Sequence, residues 1–332
     1  MAESSPISAS SGARQLNTLV LGGSGFIGSH IVDVLLERGH AVTVFDRHAE
    51  AFRPPLPGVR YVFGTFCDHM ALIEAMSGMD TVFHLISSTL PGTGNFNPRE
   101  DASTNLVGTL DLLDAMVALH VPRIVYLSSG GTVYGASQAR IISEDHSLRP
   151  ICSYGIIKTA VEHYLRLYQD LHGLKTVAIR AANPFGPRQG HNGTQGVIST
   201  FLRNVAEGRP IEIWGDGSVV RDYLYVRDLA ECCVLAAESD ITGPLNAGSG
   251  QGRSLKDVVA TLERVTHTRL SPIFRPARPV DVPYSVLDCT RAQHFLEWRA
   301  HTDFETAMAL NWAWVQAQCG MSGQPISAPA VN

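Results

Sequence analysis

The chain reads as an α/β protein built on a doubly wound, Rossmann-type parallel sheet, with a smaller C-terminal α/β lobe that closes over a substrate. Three observations predict this. Short apolar runs without polar alternation recur along the first half, as strands buried on both faces require. Segments with apolar residues three and four apart separate them, as crossover helices would. A glycine-rich string joins the first such run to the first helical segment.

TLVLGG, from Thr18, is a strand that ends in glycines, and Phe26–Arg38 (FIGSHIVDVLLER) is an amphipathic helix stopped by Gly39. AVTVFD, VRYVFG, DTVFHLIS and RIVYLSS supply further strands, with helices near His69–Ser77 and Asp101–Leu119 between them. KTVAIRA (Lys175–Ala181) is the sixth strand. After Asn183 proline and glycine become frequent, and short strands (IEIWG, YLYV) alternate with helices at Val197–Glu207, Val226–Ala237 and Leu255–Thr266. The expected organisation is a lead-in over 1–16, a dinucleotide-binding domain over 17–183, a substrate lobe over 184–318 with some elements returning to the first domain, and a tail over 319–332. Both ends have the composition of disordered segments, and the first fifteen residues lack the apolar core of a signal peptide.

Composition narrows the function classes. The chain has 332 residues, 45% of them hydrophobic, and a net charge of −5, so a sizeable core is available and no basic face for nucleic acid is evident. No run of eighteen apolar residues suggests a membrane span. The six cysteines show no CxxC pair and no paired spacing, which favours reduced thiols in a cytoplasmic protein over disulfides or a metal site.

Gly22-Gly23-Ser24-Gly25-Phe26-Ile27-Gly28 lies between strand and helix. Glycines there let backbone approach a pyrophosphate, and the helix N-terminus offers free N–H groups and positive dipole. Such a string alone is weak evidence; its position gives it force. Asp46 closes the second strand, where a carboxylate can accept both ribose hydroxyls and would repel a 2′-phosphate, so NAD is favoured over NADP. Arg47 beside it is the counter-signal. Tyr154 and Lys158 are four apart in a helical segment and share a face. An ammonium beside a phenol is expected to lower the phenol's pKa toward working pH. A surface i,i+4 pair is the bland alternative, and it loses ground because the pair follows the fifth strand of a dinucleotide fold.

With these motifs the chain resembles the extended short-chain dehydrogenase/reductases, and within them the UDP-sugar 4-epimerases, from about Thr18 to Trp314. The likeness is carried by GGSGFIG (22–28), VFD (44–46), VFHLIS (82–87), LSSGGTVYG (127–135), YGIIK (154–158), RAANPFGPRQ (180–189), RDYLYVRDLA (221–230) and RPVDVPYSVLD (278–288), in that order. The resemblance implies catalysis by Tyr154 and Lys158, and a cofactor site drawing on Gly22, Gly25, Phe26, Ile27, Gly28, Asp46, Arg47, Thr65, Phe66, Leu85, Asn105 and Ser128. It places Ser88, Asn183, Arg221, Arg278, Asp281 and Ser285 around a nucleotide-sugar, the two arginines on its diphosphate and Asp281 on the uridine ribose. A homodimer paired through the helices at Asp101–Leu119 and Ser153–His172 also follows from it.

Departures sharpen the reading. Relatives usually carry a catalytic hydroxyl four residues before the tyrosine of VYG, a place held here by Gly130; Thr132 is the expected substitute and Ser129 the alternative. Thr65 replaces the aspartate that relatives set against adenine. The resembling 4,6-dehydratases and decarboxylases place acids immediately before VY, where this chain has Gly131-Thr132, so plain epimerisation is expected. Ser285 occupies the position that gates the C2 substituent; a small residue there predicts tolerance of N-acetyl sugars. The loop after the fourth strand looks similar to relatives of surface-polysaccharide assembly, which leaves a lipid-diphosphate-linked N-acetylhexosamine as an alternative substrate. A keto-sugar reductase using NAD(P)H and a non-catalytic NAD sensor are the readings from other classes.

Overall fold

The computed structural model describes residues 14–89, 94–137, 139–190, 196–277 and 282–320. The first half runs β1 (Asn17–Leu21), α1 (Phe26–Glu37), β2 (Ala41–Asp46), β3 (Val59–Phe63), α2 (His69–Met76), β4 (Thr81–His84), α3 (Pro98–Asp101), a π-helical stretch (Ala102–Val107), α4 (Gly108–Ala118), β5 (Arg123–Ser129), α5 (Ser153–His172) and β6 (Lys175–Ala181). The second half runs β7 (Asn183–Phe185), α6 (Val197–Ala206), β8 (Glu212–Trp214), β9 (Val220–Tyr225), α7 (Val226–Glu238), β10 (Gly243–Ala247), β11 (Gly252–Ser254), α8 (Leu255–Thr266), β12 (Ile273–Arg275), β13 (Tyr284–Ser285), α9 (Thr290–Leu296) and α10 (Phe304–Gln318).

The main sheet is parallel, with strand order β10-β6-β5-β4-β1-β2-β3. Successive residues of β1 show why its sequence does not alternate. Val20 joins a core with Ile31 and Leu35 of α1 and Val234 of α7, whereas Leu19 and Leu21 join the opposite core with Leu72 of α2, Leu112 of α4 and Val161 of α5. Both faces are covered, so every position favours an apolar side chain. The order reverses direction between β1 and β4, which opens a crevice at the carboxyl ends of these strands.

Two features differ from the sequence expectation. The helix expected over 101–119 is three pieces, with a π-helical stretch around Asn105. There the Asn105 side chain is engaged with neighbouring polar groups, and its carbonyl accepts from the Thr109 hydroxyl at 2.5 Å; π-bulges of this kind concentrate at functional sites. The sheet also has a seventh strand, β10, whose sequence GPLNA has no β-branched run to reveal it. Helix α7 packs on α1 and β10 pairs with β6, so parts of the second half complete the first. The lobe proper is a sheet ordered β11-β9-β13, with β7 also on β9, around a third core that includes Phe201, Leu202, Val258, Met308 and Trp312.

Candidate active site

The loop between β1 and α1 is shaped for close backbone approach. Gly22 takes φ +84°, and a Cβ on Gly28 would fall 2.1 Å from the Gly22 carbonyl oxygen, so no other residue fits there. The first turn of α1, with Phe26 and Ile27, presents N–H groups that have no acceptor within the helix. Asp46 ends β2 beside this turn, where its carboxylate accepts from the Ser24 N–H at 3.1 Å and the Arg47 N–H at 2.7 Å. The Ser24 hydroxyl is buried and has no partner. A glycine cradle, an orphaned hydroxyl and a strand-end carboxylate fit a dinucleotide.

Leu85 follows β4 and bonds through its N–H to the Leu21 carbonyl, so it borders the same crevice. Thr65 is exposed after β3. Two expected cofactor residues turn their side chains elsewhere. The Phe66 ring is buried against His84 and Gly108, and the Ser128 hydroxyl donates to Glu162 at 2.5 Å. What these two can offer a cofactor is backbone.

Tyr154 and Lys158 lie in the first two turns of α5 and line one small pocket with His84, Asp101, Asn105, Thr109 and Tyr126. The Lys158 ammonium donates to the Leu127 carbonyl at 2.7 Å and sits 4.5 Å from the Tyr126 ring centre and 5.4 Å from that of Tyr154. Burial lowers Lys158 to about 8, against the pull of Glu162 and Asp101. Burial raises the Tyr154 phenol above its usual value, with Cys152 and Asp101 adding to the rise. This corrects the expectation that the neighbouring ammonium alone brings the phenol down: desolvation of the phenolate is the larger effect in the chain by itself.

Around the VYG turn the space at Gly130 is tight. A Cβ on Gly130 would lie 2.5 Å from Leu287 Cδ1 and 3.0 Å from the Arg180 carbonyl oxygen. Thr132, two residues on, carries a buried hydroxyl without a partner, while its N–H bonds to the Ser129 carbonyl at 3.2 Å. Asn183 donates to the Asp222 carbonyl at 2.9 Å and turns its amide oxygen toward Gly131. Arg221 on β9 stands opposite Ser285 on β13 and donates to the Val220 and Val282 carbonyls. Ser88 and Asn105 clasp each other, the Ser88 N–H to Asn105 Oδ1 and Asn105 Nδ2 to Ser88 Oγ, both at 2.9 Å. Arg278 and Asp281 lie outside the described residues. Sequence reasoning missed Asp101 and His84. The signals were an acid four residues before Asn105 on a helix face and a histidine inside an apolar strand run.

A nucleotide-binding crevice with a tyrosine–lysine pair at its edge defines a short-chain dehydrogenase/reductase-type site. The model of the NAD dependent epimerase/dehydratase family matches residues 18–248. The UDP-glucose 4-epimerase of Mycolicibacterium smegmatis is 35% identical over 299 residues, covering 86% of this chain and 93% of that protein. The solved UDP-glucose 4-epimerase of Thermus thermophilus, in complex with NAD, superposes with a TM-score of 0.84 at 33% identity, covering 91% of this chain and 99% of that one. The UDP-N-acetylglucosamine 4-epimerase of Methanobrevibacter ruminantium, in complex with UDP-N-acetylmuramic acid, superposes with a TM-score of 0.87 at 28% identity, covering 92% and 99%. The chain belongs to the NAD-dependent epimerase/dehydratase family. Within it, the chain is an NAD-dependent sugar-nucleotide epimerase. Among the described residues no helix is long and apolar enough to cross a membrane.

Proposed function

We propose that the protein inverts C4 of a UDP-hexose through a transient 4-keto sugar, with Tyr154 as the acid–base group. The observation that carries the reading is that Tyr154 and Lys158 line one pocket with Ile86, the residue packed next to Gly22 of the glycine loop, while the buried Thr132 hydroxyl has no partner. Bound NAD would accept the C4 hydride and give it back to the other face, and its oxidised nicotinamide would add a positive charge to the site. The Tyr154 oxygen takes the C4 hydroxyl proton as the C4 hydride leaves, and Lys158 steadies the phenolate and the nicotinamide ribose. Thr132 hydrogen-bonds the sugar oxygen. Arg221, with Arg278, holds the diphosphate while the keto sugar turns its other face, and Tyr154 then returns the proton to the C4 oxygen. Gly131 and Thr132 bring no carboxylate for dehydration or decarboxylation.

The small side chain of Ser285, in the place where a tyrosine would close the pocket, supports acceptance of a C2 acetamido group, so UDP-GlcNAc/UDP-GalNAc join UDP-Glc/UDP-Gal as substrates. A panel of UDP-hexoses followed by NMR for C4 inversion tests the assignment, and a chain that inverts none of them defeats it. Ser285→Tyr should suppress the N-acetyl substrates and spare the others; equal loss of both would show that the gate lies elsewhere.

We also propose a homodimer. Ile156, Leu167 and Leu171 on α5 and Val107 beside it are 45–66% exposed, an apolar stripe suited to a two-fold helix pairing. Sedimentation at twice 35.9 kDa is the check. The six free thiols suit a reducing cytoplasm.

A further inference from the structure

We propose that Asp101 is a positioning residue for the Tyr154–Lys158 pair: its carboxylate anchors the first turn of α5 and supplies the counter-charge of the buried ammonium across a gap the size of one water. The proposal rests on the acid–base role given above to Tyr154 and Lys158.

Asp101 is 1% exposed at the end of α3. One carboxylate oxygen accepts from the Ser153 hydroxyl at 2.6 Å, and Ser153 directly precedes Tyr154. The other accepts from Thr89 Oγ1 and Asn105 Nδ2, both at 2.8 Å. These contacts tie the loop after β4, the π-helical stretch and the start of α5 to one atom group. All three donors are neutral, and among the described residues Asp101 forms no ion pair.

Lys158 is the complementary case. It is 4% exposed, and its ammonium has a carbonyl rather than a carboxylate as its hydrogen-bond partner. Glu162, one turn on along α5, is already held by Arg180 and Ser128. The other groups around the ammonium are Tyr126 on β5, Tyr154 on α5 and His84 on β4. Burial and the nearby Lys158 hold His84 down at about 3, so it is neutral at working pH. Two buried opposite charges therefore share one pocket, each without a direct ionic partner. An isolated buried charge is strongly disfavoured, so each stabilises the other. The pocket has a volume of about 10 Å³, close to the least that admits one water. His84 Nδ1 has no partner and is available to such a water.

The carboxylate favours the protonated form of both neighbours, the lysine and the tyrosine. Removing its charge while keeping its shape must lower both pKa values together. With NAD loaded, its positive charge would draw the phenol below the ammonium; the acidic limb of the pH–activity profile, where Tyr154 gains its proton, and the alkaline limb, where Lys158 loses its own, then move to lower pH in the variant. A purely structural role would reduce activity at every pH and leave both limbs in place.

The test is the pH profile of kcat/KM for the full, NAD-loaded chain with UDP-glucose, comparing wild type, Asp101→Asn and Ser153→Ala. Asp101→Asn should move both limbs down by roughly one pH unit. Ser153→Ala keeps the carboxylate and should lower kcat with its limbs unmoved. Asp101→Asn limbs at the wild-type pH would overturn the proposal while leaving the role of Tyr154 intact, since that role stands or falls on Tyr154→Phe. A melting experiment needs no activity. Lys158→Met strands the carboxylate, so adding Asp101→Asn to it should raise the melting temperature; an equal or lower value would overturn the charge pairing.

Discussion

Two charged clusters meet α5 and are built on opposite plans. Around Glu162 the polar groups are matched. Its carboxylate takes the Arg180 guanidinium at 2.6 Å and the Ser128 hydroxyl at 2.5 Å, and Arg180 also donates to the Tyr134 hydroxyl and the Glu144 carbonyl, both at 2.9 Å. The Tyr134 hydroxyl donates to Asn246 Oδ1 at 2.6 Å, and Asn246 Nδ2 donates to the Ile142 and Asp288 carbonyls. This network joins β5, β6, α5 and β10. One turn earlier on the helix, Lys158 has no ionic partner in direct contact, while His84 Nδ1 and the Thr132 hydroxyl have no partner at all. Buried polar groups are ordinarily satisfied, so a place where several are not is where a ligand completes them. One network is complete within the chain, and the other leaves buried polar atoms open to a ligand.

The comparison can be broken at several points. The largest effect is expected from Tyr154→Phe, which should cut turnover by about 10²–10⁴-fold while the NAD released on denaturation stays at the wild-type amount. Near-normal turnover would remove the tyrosine from the mechanism. On the structural side, Glu162→Gln strands Arg180 and should cost about 3–5 kcal/mol of stability in urea denaturation. A loss below about 1 kcal/mol would show that the network is not what holds these elements together. The smallest effect concerns the orphaned hydroxyl. Thr132→Val should slow catalysis by about tenfold or somewhat more, the worth of one hydrogen bond to a charge-bearing oxygen, and Ser129→Ala by less. The reverse order would move the role to Ser129.

Local sequence carried much of this. The Gly22–Gly28 string, Asp46 and the Tyr154/Lys158 spacing are each contiguous, and their chemistry depends on one turn or one helix. The inner strands β1, β2 and β4 are legible because burial on both faces leaves them largely apolar, whereas β3 is a half-exposed edge strand that its β-branched and aromatic residues reveal. What escaped was non-local. β10 is a strand because β6 pairs with it and α9 packs on it, and its own residues, Gly243 to Ala247, give no such signal. The π-helical turn depends on contacts from Asn105 to a loop seventeen residues upstream. The sign of the Tyr154 shift was misjudged because spacing reveals the neighbouring ammonium but not the depth of burial. Gly130 reads as the loss of a catalytic group; that a side chain there would crowd Leu287, more than 150 residues away, is a non-local fact.

The most direct measurement follows the hydrogen on C4. UDP-glucose deuterated at C4, turned over by the NAD-loaded chain in ordinary water, should give UDP-galactose that keeps the deuterium at C4, because hydride leaves and returns through one bound nicotinamide while Tyr154 handles only the hydroxyl proton. Product carrying solvent hydrogen at C4 would contradict the account.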